Sequence, residues 1–247
     1  NLNLAILGIF VLSISSVFYP NISKLAAENA IESLKKALST VLIVVSIVVL
    51  SGTFMIMIFS EPIVQVLYGR GEFNSSAIEM TSNALFYYAF GLLGVSYREV
   101  LTKTFYSLQD TKTPVINATL AMILNIILNF LLAPFLGIGG LALASSISMI
   151  FCTFFMFISL RKKIGQLGLR YLLFSVLKLF IVSIMIGLLS KFIYSLLINL
   201  LPPIINLIFA ISVGITVYFF IISFMKIDEI DMMITELKKR WELRKKN

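Results

Sequence analysis

Seven apolar runs, each close to the length that crosses a lipid bilayer, constrain this chain before any single residue is considered. A spanning helix needs about 20 mostly apolar residues, and an open strand or irregular segment leaves its backbone unsatisfied in hydrocarbon. The runs cover Leu4 to Tyr19, Leu38 to Ile58, Asn83 to Lys103, Val115 to Phe135, Leu141 to Leu160, Leu172 to Leu196 and Ile204 to Met225. The first is short. The chain starts at Asn1, directly inside that run, with no basic segment and cleavage site ahead of it, which points to a fragment of a longer protein. The expected fold is all-α and integral to the membrane, a bundle of about seven transmembrane helices.

Composition excludes the main alternatives. Charged residues are 13% of the chain, about half the ~25% of a soluble domain, and mean hydropathy is +1.00. The chain has no histidine and a single cysteine, Cys152, within an apolar run. A histidine triad, a histidine metal site and an intrachain disulfide are therefore excluded. No phosphate-binding loop, dinucleotide fingerprint or HExxH motif is present, and no span carries a carboxylate pair. We expect no enzyme, no cofactor and no metal. Lysine and arginine exceed aspartate and glutamate by 20 to 12, a balance that in a soluble protein suggests nucleic acid. Here the positive charges lie between and after apolar runs, so they mark topology and attraction to anionic membrane lipids instead, with no nucleic acid as partner.

Helix-ending residues separate the runs. Pro20 is expected to close the first, and Glu61-Pro62 with Gly69-Arg70-Gly71 to break the chain after the second. Asp110-Thr111-Lys112-Thr113-Pro114 parts the third from the fourth. Gly137, Gly139 and Gly140 form a turn after Pro134, and Pro202-Pro203 ends the sixth. Connections then alternate sides. One side holds Lys24, Lys35, Lys36, Lys103, Lys112, Arg161, Lys162, Lys163, Arg170 and the basic tail, while the other holds Arg70 and Lys191. The positive-inside rule places the first side, and with it the C-terminus, in the cytoplasm. Ser23 to Lys36 is expected as an amphipathic connector at the interface. The tail repeats apolar Ile230, Met233, Ile234, Leu237 and Trp241 at helical spacing.

Polar groups inside apolar spans are the candidates for function, because lipid penalises them. The third span carries Arg98, Glu99 and Lys103, of which Glu99 and Lys103 share a face at i,i+4. Arg98 either faces a wet cavity, where a guanidinium grips phosphate with two hydrogen bonds, or snorkels with Lys103 to the interface. The fourth span carries Asn125 and Asn129 on one face, for bonding between helices or for lining a cavity. The fifth is dense in small residues, from Gly139 to Ser148, a pattern of close helix packing. Lys178, near the start of the sixth span, snorkels. The sixth and seventh spans are otherwise plain, and either face lipid or flank a groove for a lipid tail.

Three strings resemble one family. Phe18-Tyr19-Pro20-Asn21-Ile22-Ser23-Lys24 resembles the P-x-[LI]-S-[KR] element of the MurJ/MviN lipid II flippases. Val66-Leu67-Tyr68-Gly69-Arg70-Gly71-Glu72-Phe73 resembles that family's LF-x-[RY]-G-x-F turn. Phe105-Tyr106-Ser107-Leu108-Gln109-Asp110-Thr111-Lys112-Thr113-Pro114 resembles its FYS-x-x-D-x-[KR]-TP loop and is the most specific of the three. Their order and spacing agree with the family over roughly residues 4 to 163.

The resemblance implies the C-terminal lobe of a fourteen-helix transporter of the MOP exporter superfamily, in a bacterial cytoplasmic membrane. It further implies translocation of an undecaprenyl-linked peptidoglycan precursor by alternating access, with the missing N-terminal lobe as partner. Under it, residues 1–163 form the core helices. Residues 164–226 supply two further spans with a possible tail groove, and residues 227–247 the cytoplasmic tail. Arg98, Glu99, Lys103, Asn125 and Asn129 are the candidate substrate-cavity residues, and Asp110, Lys112, Thr113 and Pro114 have a structural or gating part. Two rivals are an exporter of another polyprenyl-linked glycan and a non-transporting membrane scaffold.

Overall fold

The computed structural model describes residues 2–70 and 74–225, and among them every regular element is a helix. The elements are α1 (Leu2–Ala27), α2 (Ile31–Ile58), α3 (Ser60–Tyr68), α4 (Ser75–Phe90), α5 (Leu92–Ser107), α6 (Lys112–Ile164), α7 (Leu169–Leu197) and α8 (Pro203–Phe224). Four of these, α2, α6, α7 and α8, are each long and apolar enough to cross a membrane. The chain is an all-α membrane protein. The expected tail over 227–247 and the Gly71-Glu72-Phe73 part of the second string lie outside the described residues.

Several boundaries differ from the sequence reading, each for a local reason. Pro20 does not end α1, which continues through it to Ala27. Proline costs that helix the bond to the Ser16 carbonyl, a loss that neighbouring helices and polar side chains can make good in a membrane. The expected connector over Ser23 to Lys36 is therefore no separate element. It is the end of α1 and the start of α2, reversed at Asn29 with φ 51°. The third run starts earlier, at Ser75, where Asn74 Oδ1 accepts from the Ala77 backbone N–H at 2.9 Å. It is then divided into α4 and α5 at Gly91.

The fourth and fifth runs are the two arms of α6, residues 112–136 and 138–164. They meet at Gly137, whose φ of 54° and ψ of −131° suit glycine alone. Asn125 on one arm donates to Ser145 on the other, so the arms run antiparallel as a hairpin. Gly139 and Gly140 do not turn the chain. They belong to the second arm, where a Cβ on Gly140 would lie 2.4 Å from the Leu132 carbonyl oxygen.

The core is built round α2. That helix is apolar on every side and buried on nearly every side, with Val41, Ile43, Val45 and Val49 fully covered. It packs against α1, α4, α5 and α7. Tyr218 of α8 reaches it as well, its hydroxyl donating to the Ile47 carbonyl at 2.9 Å. The α4–α5 segment lies tight on the second arm of α6. Ser146 Oγ donates to the Tyr87 carbonyl at 2.7 Å and Thr153 Oγ1 to the Gly94 carbonyl at 2.7 Å. A Cβ on Gly91 would lie 2.7 Å from Ser146 Cα, and one on Gly94 would lie 3.0 Å from the Ile150 nitrogen. By contrast, large apolar side chains stand exposed along the first arm of α6 (Phe130 at 79%) and along α7 and α8. Those are surfaces for lipid or for other protein.

The basic connections gather at one end of the bundle. Ser23 near the end of α1 shares a 2.9 Å hydrogen bond with Ser107 at the end of α5. The start and finish of α6 are joined there by Lys163 and Asp110. Lys35 Nζ lies 3.5 Å from where a Cβ on Gly165 would stand.

Candidate functional site

The charged trio of α5 splits into a pair and a single cation. Lys103 Nζ lies 3.6 Å from Glu99 Oε1, one helical turn away, and both side chains are half-buried. Arg98 neighbours Cys152 on the second arm of α6, and among the described residues its guanidinium has neither ion pair nor hydrogen bond. Beside it, Tyr97 is buried, and its hydroxyl lies 2.5 Å from Ser46 Oγ of α2. Ser46 gives its one proton to the Leu42 carbonyl at 2.6 Å, so Tyr97 is the donor in that pair. This bond was not legible beforehand, since its partners stand 51 residues apart.

The two asparagines form a ladder within the α6 hairpin. Asn129 Nδ2 donates to Asn125 Oδ1 at 3.1 Å, Asn125 Nδ2 to Ser145 Oγ at 3.3 Å, and Ser145 Oγ to the Leu141 carbonyl at 3.0 Å. Asn125 thus bonds across the arms, while Asn129 bonds within its own arm and its Oδ1 is buried without a partner among the described residues.

The turn between α5 and α6 is organised by Asp110. Its Oδ1 accepts from the Thr113 backbone N–H at 3.0 Å and its Oδ2 from Thr113 Oγ1 at 2.8 Å, satisfying the open first turn of α6. Lys163 Nζ donates to the same Oδ2 at 2.8 Å. The Lys163 hydrogen bond first, and the Thr113 amide next, hold the Asp110 carboxyl down at about 2. Pro114 is buried in that first turn and Lys112 is exposed. The two halves of this bridge lie at opposite ends of a hairpin, which is why spacing along the chain did not reveal it.

One further feature was missed from sequence. A cavity of about 450 Å³ opens between α5, the second arm of α6 and α7. Tyr97, Phe154, Phe157, Ile158, Leu172 and Val176 line it, with Arg161 as its one charged residue. Tyr97 and Phe157 meet edge to face, with ring centroids 5.9 Å apart.

Among the described residues no group of three or more His, Cys, Asp or Glu side chains is placed to hold a metal ion. What the arrangement offers is apolar helices enclosing a few polar and cationic groups. The family model described as Lipid II flippase MurJ matches residues 2–225. The chain belongs to the MurJ lipid II flippase family.

Individual relatives agree. A probable lipid II flippase MurJ of Thermotoga maritima is 29% identical over 92% of this chain and 45% of its own length. One from Vibrio cholerae is 35% identical over 58% of this chain and 27% of its own length. A solved lipid II flippase MurJ in an inward closed conformation superposes with a TM-score of 0.66 at 27% identity, over 87% of this chain and 42% of that one. The chain therefore spans less than half the length of these MurJ relatives. Of the three strings that resembled the family, the first ends α1 and the third makes the Asp110 turn, so both stand at the basic end of the bundle. The described part of the second closes α3.

Proposed function

We propose that this chain is the C-terminal lobe of a lipid II flippase, carrying the undecaprenyl-linked peptidoglycan precursor across the bacterial cytoplasmic membrane by alternating access. The observation that carries the reading is the family match over 2–225, on a helical fold that covers less than half of its solved relative. The other lobe would come from the rest of a longer protein. The lobe would rock as a body, its helices held by the polar ties within the hairpin and to α2. The basic end faces the cytoplasm in this reading, following the positive-inside rule, and so does the C-terminus.

Within the lobe we assign Arg98 to the substrate headgroup. A guanidinium in a membrane span with no ion pair or hydrogen bond among the described residues suits a diphosphate. Glu99 and Lys103 accompany it as a pair, and the Asn125–Asn129 ladder supplies the polar wall. Asp110, Lys112, Thr113 and Pro114 form a turn that fixes where α6 starts. Residues 1–163 would be the transport core, with α7 and α8 flanking the route of the polyprenyl tail.

The test joins this chain to the N-terminal half of the Thermotoga maritima relative in cells depleted of their own flippase. Recovery of lipid II accessible at the outer face is the expected result. Recovery of a different polyprenyl-linked glycan instead, or a stable membrane-inserted protein without any recovery, overturns the reading in favour of another exporter or a scaffold.

A further inference from the structure

The cavity between α5, the second arm of α6 and α7 has a composition that the transport reading does not use. Its wall is aromatic and aliphatic, and its volume of about 450 Å³ falls within the ~300–1,000 Å³ in which proteins hold small ligands. Its lip is open to the outer surface of the bundle, since Phe154 is 59% and Leu173 69% exposed. Tyr97 presents its ring only, because its hydroxyl is committed to Ser46.

Arg161 marks one end of the cavity. It lies in the last turn of α6, where its carbonyl accepts from the Gly165 N–H at 3.0 Å. From Phe154 to Arg161 the helix rises roughly 10 Å, so the guanidinium tops an apolar cleft about two turns deep. Lys163 in the same turn is committed to Asp110, and Lys35, which lies beside Gly165, is committed to Glu32 on its own helix. Arg161 has no acidic partner among the described residues, and Lys162 and Arg170 stand exposed close by in the chain.

An apolar cleft capped by an unpaired guanidinium at the level where a membrane protein meets the headgroups complements an amphiphile with a negative head. We propose that the cleft is a binding site for one anionic glycerophospholipid of the adjacent leaflet, its acyl chain against Phe154, Phe157, Leu172 and Val176 and its phosphate on Arg161. The inference stands apart from the transport reading, since it concerns a resident lipid on the lobe's outer surface.

The test uses the full chain in vesicles. Trp241, the only tryptophan, is replaced by phenylalanine, and Leu173→Trp places a reporter at the lip of the cleft. Brominated phosphatidylglycerol is titrated against brominated phosphatidylcholine as a quencher. A preference of about fivefold for phosphatidylglycerol is expected, the size of one cation acting at a membrane surface. Arg161→Gln should bring that preference to unity with helix content unchanged, and Arg161→Lys should keep most of it. Equal quenching by the two lipids in the parent overturns the proposal. So does a preference that survives Arg161→Gln. Displacement of the brominated lipid by undecaprenyl diphosphate at lower concentration than by phosphatidylglycerol also overturns it, because the cleft then belongs to a polyprenyl tail.

Discussion

Lys163 and Asp110 stand 53 residues apart in sequence and 2.8 Å apart in space, so the last turn of α6 is fastened to the turn that begins it. The contact is an ion pair laid over a helix cap. Asp110→Asn keeps an acceptor for the Thr113 amide and removes the charge. It should lower stability by about 0.5–1 kcal/mol, the range of partly exposed ion pairs. Asp110→Ala loses the cap too and should cost about 1 kcal/mol more. Thermal unfolding of the two variants in detergent measures both steps.

The same pair has a defined pH window. The Asp110 carboxyl is held at about 2, below the ~3.9 of an unfolded aspartate. Its stabilisation is therefore complete above pH ~4 and is lost as pH falls through about 2. The difference in midpoint between the parent and Asp110→Asn should be flat from neutral pH down to ~4 and shrink below it. A difference that already fades between pH 7 and 5 would show that another group governs the contact.

Two glycines, one at the α4–α5 break and one inside α2, should respond oppositely to alanine. At Gly91 the new Cβ would meet Ser146 Cα at 2.7 Å, backbone that cannot step aside, so Gly91→Ala should destabilise by about 1–3 kcal/mol. At Gly52 nothing lies within 4 Å, and Gly52→Ala should stabilise α2 by roughly 0.5–1 kcal/mol. Melting midpoints of the two variants shifting in the same direction would contradict the packing described.

Ser46 and Tyr97 join α2 and α5 through their side chains. A double-mutant cycle with Ser46→Ala and Tyr97→Phe should give a coupling of about 0.6 kcal/mol, with an upper bound near ~1.7, the scale of polar contacts inside membranes. Additive single effects would mean that the two hydroxyls do not share a proton.

Arg98→Ala should impair lipid II translocation about 10–100-fold if the guanidinium holds a phosphate, since hydrogen bonds to charged groups contribute ~1.5–3 kcal/mol. Membrane insertion and melting should be unchanged, because no protein group among the described residues depends on it. Translocation at the parental rate would remove Arg98 from the cavity.

The four helices long and apolar enough to cross a membrane were legible in the chain because hydrocarbon enforces a rule on every backbone amide, and a run of apolar residues is the visible result. The places where reading failed are those where a second segment decides. Pro20 signals a helix end in water, yet α1 passes through it. Gly91 looks like any glycine until Ser146 is known to press on it. The asparagines were visible as polar groups in lipid, but the partner of Asn125 was not, because Ser145 stands opposite only once the hairpin has formed. Arg161 read as one positive charge among several at an interface, and only the three-helix cleft beneath it sets it apart.

The reversal at Gly137 has a consequence for how this protein is made. The first arm of α6 finds its polar partner Ser145 within the same 53 residues, and the second arm finds Tyr87, Gly94 and Asp110 earlier in the chain, so the hairpin can pair while α7 and α8 are still being synthesised. Asn125 and Asn129 then pass into the bilayer already bonded, and the cost of dehydrating two amides falls on a closed hairpin rather than on a lone helix. Lys163 emerges last of the group, and its bond to Asp110 closes the hairpin at its base.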